Sequence, residues 1–203
     1  MHYLIDLDNT LLDTYYIDEN GKNRFYWAQD FEKDFNVSQN VLDDLFQGAF
    51  LIALYRTKML SRFFVPFLMK YNIPLDASGF LNYWLSRDMR VNQSVWEWIQ
   101  QEREQGHFFH IASNQPHVRM DYLLEHLPEW KDVFNHVFTS ARLGVSKEEP
   151  EFFRYAQYAL KVPFNQMCLI DDSIENIKTA KSLGMQAILF KSVDQLDKEK
   201  PVI

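Results

Sequence analysis

The stretch YLIDLDNTLLD, residues 3–13, decides how the rest of the chain is read. Tyr3, Leu4 and Ile5 are a continuous apolar run, the mark of a strand buried on both faces. The run ends on Asp6, and one leucine later comes Asp8. A strand sets residues i and i+2 on one face, although Asp8 is expected just past the strand, in a turn. Carboxylates gathered at a strand end repel one another, so something must compensate for them.

Beyond Arg90 the chain alternates. SVWEWIQQEREQG reads as an amphipathic helix, with Ser94 as its N-cap and Gly106 as its stop. HFFHIAS, HVFTS, MCLID and QAILF read as strands separated by helical segments. Such alternation predicts an α/β fold, a parallel sheet covered by helices on both faces. Residues 24–87 interrupt it with helical spacing. RFYWAQDFEKDF, VLDDLFQGAFLIALY and SRFFVPFLMKY are candidate helices, and Leu81, Trp84 and Leu85 mark a fourth. This block is expected to be an all-helical insertion, preceded by a turn at Asn20-Gly21, a dipeptide that tolerates positive φ and suits a hairpin. The expected division is a core of residues 1–13 and 91–203 and an inserted domain of residues 14–90.

Four groups of polar residues fall at or near predicted strand ends, where parallel sheets bind ligands. They are Asp6 with Asp8, Ser113 with Asn114, Lys147, and Asp171 with Asp172. A divalent cation with oxygen ligands relieves the repulsion among Asp6, Asp171 and Asp172, and Mg²⁺ suits carboxylates plus a substrate phosphate. Lys147 adds a fixed positive charge. The Ser113 hydroxyl and the Asn114 backbone N–H can bind phosphoryl oxygens. A carboxylate so placed can attack phosphorus, and a second acid can protonate the leaving oxygen and later activate water.

The motifs DLDNT, ASN, GVSKEEPEFF and IDDSIENIKTAKSLGM, in that order, resemble the four motifs of the haloacid dehalogenase-like hydrolases. The resemblance implies a Rossmann-like core with a mobile helical cap inserted after the first motif. It implies that Asp6 is the nucleophile, Asp8 the general acid/base, and Ser113 a phosphate ligand. Lys147 would steady nucleophile and phosphoryl group, and Asp171 and Asp172 would hold Mg²⁺ with Asp6 and the main-chain carbonyl of Asp8. One departure stands out: Glu148 follows Lys147 where the family often has proline, and Pro150 matches a later proline of the pattern.

The expected function is therefore a Mg²⁺-dependent phosphatase acting on a small phosphorylated metabolite, a sugar phosphate or nucleotide, through an aspartyl-phosphate. The alternatives are a phosphomutase or phosphotransferase of the same superfamily, and a non-catalytic phospho-binding protein on this scaffold. A dehalogenase is disfavoured because that branch generally lacks the acid at the position of Asp8. A response-regulator receiver is disfavoured because its acid pair precedes its phosphorylated aspartate.

Composition adds bounds. Of 203 residues, 47% are hydrophobic and 24% charged, ordinary for a globular chain, and the net charge of −7 argues against a nucleic-acid partner. No apolar run approaches the ~18 residues of a membrane span. The single cysteine, Cys168, precludes an intrachain disulfide and, with no signal-peptide pattern, points to the cytoplasm. His107, His110, His117, His126 and His136 have no metal-ligand spacing. Arg56, Lys58, Arg62, Arg87 and Arg90 are candidates to meet a second anionic group of the substrate, against the simpler reading of a solvated surface.

Overall fold

The computed structural model describes residues 1–47 and 60–201. Five parallel strands form the central sheet, in the order β5-β4-β1-β6-β7. They are β1 (His2–Ile5), β4 (Phe108–Ser113), β5 (Phe134–Thr139), β6 (Met167–Asp171) and β7 (Gln186–Leu189). The first strand of the chain is thus the middle of the sheet, with Ile5 opposite Ile111 on one side and Ile170 on the other. Alternation sorts the side chains into two cores. Tyr3, Ile5, Phe109, Ile111 and Ile170 pack with Val95, Trp98 and Ile99 of the helix Gln93–Glu104. On the other face Leu4, Ala112 and Leu169 pack with Phe152 and Phe153 of the helix Pro150–Leu160 and Ile177 of the helix Ile174–Ser182. Both faces being covered explains the near-continuous apolar runs of the strands. Each fully buried side chain of this size stabilises the fold by ~1.5–3 kcal/mol.

Helix ends follow local chemistry. The helix after residue 91 is capped by Asn92, whose side chain accepts the Val95 N–H, and not by Ser94, which lies in the first turn. Asparagine ranks at least level with serine as a cap, and here it precedes it in the chain. Gly106 turns the chain with φ +87° as expected.

The inserted block is not all-helical. It opens with an antiparallel hairpin of β2 (Tyr15–Ile17) and β3 (Asn23–Phe25), turned through Gly21 at φ +74°. Arg24 and Phe25, expected on a helix, therefore lie in a strand, and the helix there is only Phe31–Phe35. The reason is an ion pair within the hairpin: Arg24 is buried and its Nε lies 2.8 Å from Asp18 Oδ2. Helices Ser61–Lys70, with Pro66 inside it, and Ala77–Leu85 follow. Trp27, Phe31, Phe64, Phe80 and Trp84 give the block an aromatic core of its own. Of the predicted helix VLDDLFQGAFLIALY, the start is seen as Leu42–Leu45; its later part, with Arg56 and Lys58, lies outside the described residues.

The chain enters and leaves this block side by side. The Asp13 N–H donates to the Arg90 carbonyl (2.8 Å) and the Asn92 N–H to the Leu11 carbonyl (2.9 Å), and Arg90 Nε lies 3.4 Å from Asp13 Oδ2. No helix among the described residues is long and apolar enough to cross a membrane.

Away from the strand ends, His2, His110 and His136 form a ladder across β1, β4 and β5. His2 Nδ1 lies 3.1 Å from His110 Nε2, and the His110 and His136 rings are 5.4 Å apart. Burial, with the neighbouring His2 and His136, pushes the His110 pKa down to about 3. A histidine held neutral in the folded state favours folding above its unfolded pKa of ~6.5 and loses that contribution as pH falls towards 3. Urea unfolding at pH 7.5 and 5.0 should therefore show the stability of wild type falling by ~1–2 kcal/mol more than that of His110→Leu. Equal losses in the two proteins would show that His110 titrates normally.

Candidate active site

The sheet sets Asp6 one residue beyond β1, where its N–H continues the ladder by donating to the Ile170 carbonyl at 3.0 Å. The chain then turns back sharply: the Leu11 N–H donates to the Asp6 carbonyl and the Leu12 N–H to the Leu7 carbonyl. Asn9 takes the left-handed conformation (φ 54°) that this turn requires and that asparagine tolerates. Its Nδ2 donates to Asp172 Oδ2 at 3.3 Å, which ties the first acidic turn to the second. Asp171 closes β6, and Ser173 caps the helix that follows. Carboxylate oxygens of Asp6, Asp171 and Asp172 all lie within 4.8 Å of one another.

Lys147 lies at the centre. Its side chain is almost fully buried, and Nζ donates to Asp6 Oδ1 at 2.5 Å and Asp171 Oδ2 at 2.6 Å. Burial works against the lysine charge, but Asp171 and Asp6 outweigh it and hold its pKa above the usual value. Burial pushes Asp6 up, Asp171 and Asp8 add to that, and Lys147 opposes it. Asp172 is also raised, by burial and then by Asp171. The group is thus short of positive charge, the condition that a bound cation relieves, and its donor set of carboxylate oxygens fits a hard divalent ion.

Asn114 holds the lysine loop. Its Oδ1 accepts the Lys147 N–H at 2.9 Å, and its Nδ2 donates to both carboxylate oxygens of Glu148 at 3.2 Å. The acid that stands where proline is common is therefore fixed by the amide of the second motif. Ser113 is buried at the end of β4, opposite Thr139 of β5.

Asp8 belongs to a second network. Arg119 grips it with two bonds, Nη2 to Oδ1 at 2.7 Å and Nη1 to Oδ2 at 3.1 Å. The Thr14 hydroxyl donates at 2.7 Å and Gln115 Nε2 at 2.5 Å. Burial works against the carboxylate, but Arg119, Thr14 and Gln115 prevail and keep its pKa below the usual range. Arg119 Nε also lies 2.8 Å from Asp88 Oδ2, which accepts the Trp84 indole N–H at 2.8 Å. Asp88 is pushed up to about 6 by burial, with Arg119 opposing and Asp8 adding.

The structure brings together Asp6, Lys147, Asp171 and Asp172, with Asn114 beside them. Sequence reading missed Thr14, Asp88, Gln115, Arg119 and Asn176. Asn176 donates to both oxygens of Asp171 at 3.0 and 3.1 Å. Arg119 left a signal: it neighbours Met120 and stands four residues before Leu123 on the core side of the helix His117–His126, and a cation on a buried face needs an anion. Of the candidate cations, Arg62 lies over the Phe63 ring, Arg87 over Tyr83 and Arg90 over Tyr26. None of the three lines the cavity beside Asp8.

Known proteins share this fold. Over 94% of the chain, the fold superposes on 93% of a haloacid dehalogenase family enzyme of Bacteroides thetaiotaomicron, solved with magnesium and inorganic phosphate, with a TM-score of 0.70 and 19% identity. A sesquiterpene phosphatase of Aspergillus oryzae is 26% identical over 48% of this chain and 49% of its own length. A drimenol cyclase of Aspergillus calidoustus is 30% identical over 43% of this chain and 16% of its own. The chain thus spans less than half the length of these two curated relatives. The haloacid dehalogenase-like hydrolase family matches residues 1–184, which take in four of the five strands of the central sheet, and the chain belongs to that family.

Proposed function

We propose that the protein is a Mg²⁺-dependent phosphatase that cleaves a small phosphorylated substrate through an aspartyl-phosphate on Asp6. The observation that carries this reading is the buried Lys147 amine held between Asp6 and Asp171, with Asp172 alongside. Magnesium and phosphate together in the Bacteroides relative, and the phosphatase activity named for the Aspergillus oryzae relative, support it.

The residues divide the work. Both oxygens of Asp171 are already engaged, Oδ1 by the Ser173 N–H and Asn176, Oδ2 by Lys147 and Asn176. With about four acceptor sites on a carboxylate, Asp171 chiefly anchors Lys147. Asp6 and the half-exposed Asp172 then supply the readiest oxygens for the metal, with the Asp8 main-chain carbonyl. Bound there, Mg²⁺ neutralises charge on the phosphoryl group. Lys147 holds the Asp6 carboxylate in place and adds positive charge as the phosphoryl group arrives. Asp6 attacks phosphorus, and the ester oxygen leaves. Ser113 and the Asn114 N–H receive phosphoryl oxygens. Asp8, kept ionised by Arg119, is in the form that takes a proton from water in the second half-reaction. In the first, negative charge on the phosphoryl group favours the protonated form that donates to the leaving oxygen.

Residues 1–13 and 91–203 form the catalytic core in this reading, and residues 14–90 a cap that excludes water over the phosphoryl group. The separate aromatic core of the block and its adjoining ends support that division.

Asp6→Asn should abolish Mg²⁺-dependent phosphate release from p-nitrophenyl phosphate, by at least ~10³-fold, with the circular dichroism spectrum retained. A fully active variant would overturn the mechanism. Asp172→Asn should raise the Mg²⁺ concentration for half-maximal rate by ~10–100-fold without lowering the melting temperature. An unchanged metal requirement would remove Asp172 from the ligand set.

A further inference from the structure

Asp8 lines a small cavity that has one aromatic wall: Tyr15, Phe25, Trp27, Phe46 and Trp84. All five come from the inserted block. They form a connected set, with Phe25 4.7 Å from Tyr15 and 4.6 Å from Phe46, ring to ring, and Trp84 5.5 Å from Phe46. The other wall is polar, but its charges are already matched. Arg119 is shared between Asp8 and Asp88, Thr14 and Gln115 donate to Asp8, and the Trp84 N–H donates to Asp88.

This geometry constrains what leaves with the ester oxygen. Asp8 is the acid that would protonate that oxygen, so the cavity beside it receives the first atoms of the alcohol. Among the described residues, no cation unmatched by a carboxylate lines the cavity to meet a second phosphate or a carboxylate of the substrate. Of the polar groups in the lining, the Trp27 indole N–H is buried without a partner and could serve one acceptor. The several hydroxyls of a polyol would otherwise have to compete for groups already engaged with one another, and a polar group buried without a partner is disfavoured. An apolar carbon chain meets no such conflict and gains contact with aromatic faces. The cavity measures about 40 Å³. One water needs ~10–15 Å³ on this measure, so the space suits about three non-hydrogen atoms.

We infer that this cavity is a leaving-group subsite. It selects phosphate monoesters of uncharged alcohols whose first carbons next to the ester oxygen are an alkyl chain, over sugar phosphates and nucleotides. The inference rests on the phosphatase reading and narrows its substrate class.

The test compares kcat/KM for n-butyl phosphate with that for glycerol 3-phosphate and glucose 6-phosphate, using the full chain with Mg²⁺. Butanol is the least acidic of these alcohols, so a preference for its ester cannot come from leaving ability. The expected result is a preference of at least ~10-fold for n-butyl phosphate. Phe25→Ala should lower that ratio by about 10-fold, and Phe25→Leu should keep most of it. If Phe25→Ala does not fold, the ratios of wild type and Phe25→Leu still decide. Equal or reversed preference, together with Mg²⁺- and Asp6-dependent release from p-nitrophenyl phosphate, would overturn the subsite and leave the phosphatase reading standing. No release from any ester would overturn both.

Discussion

The contact on which the rest of the structure depends is the buried ammonium of Lys147 between Asp6 and Asp171. It joins the ends of two adjacent strands, β1 and β6, to a loop that follows β5. Charges this deep persist only when paired, and removing one partner of such a pair costs about 3–5 kcal/mol. The same three groups would otherwise be the most repulsive place in the fold. In the proposed function, folding and chemistry share one electrostatic arrangement: the lysine that lets two carboxylates be buried side by side would also hold one of them ready for an electrophile. The surrounding details serve it. Asn176 and the Ser173 N–H occupy the remaining oxygens of Asp171, and Asn114 pins the backbone of Lys147 itself.

A second arrangement begins at Asp8 and runs outward. Asp8, Arg119, Asp88 and Trp84 form a chain of charge-assisted contacts from the first turn of the sheet to the helix Ala77–Leu85 of the inserted block. The aromatic core of that block is thus mechanically connected to a carboxylate two residues from Asp6. Electrostatic anchoring on the sheet side and aromatic packing on the other meet at this residue, which is why the polar and apolar walls of the adjoining cavity are so sharply divided.

How much of this was legible follows from what sequence spacing can encode. The sheet was legible because strands buried on both faces need unbroken apolar runs, and because acids, a serine and a lysine sat at their ends. The order of the strands was not written in the spacing; the hairpin turn at Asn20-Gly21 was legible from that dipeptide, but the reach of its second strand to Phe25 was not. There the helical repeat of Phe25, Ala28 and Phe31 gave way to cross-strand pairing fixed by Arg24 and Asp18. Ser94 lost the cap position to Asn92 because both satisfy the same orphaned N–H groups and one comes earlier. Asp6, Asp171, Asp172 and Lys147 were legible as a set, while Asp8 sits beside them in the network of Arg119. Arg119 and Asp88 were not legible, because their meaning lies in a contact across more than thirty residues of chain, and single charged residues ordinarily face solvent. Glu148 stood out in the sequence as a departure from the motif, and only the position of the Asn114 amide shows how it is accommodated.

The adjoining ends of the inserted block have a consequence for the history and engineering of the molecule. With Leu12 bridged to Val91, the sheet meets the block as it would meet a short hairpin, whatever the length of chain between. Closing a longer excursion at fixed ends adds only ~0.6 kcal/mol for each doubling of its length. Transplanting a block of different size onto this junction leaves the strand register and the buried lysine pair undisturbed. The junction is a graft point for the block, provided that Thr14 and Asp88, which hold Asp8 and Arg119, are kept.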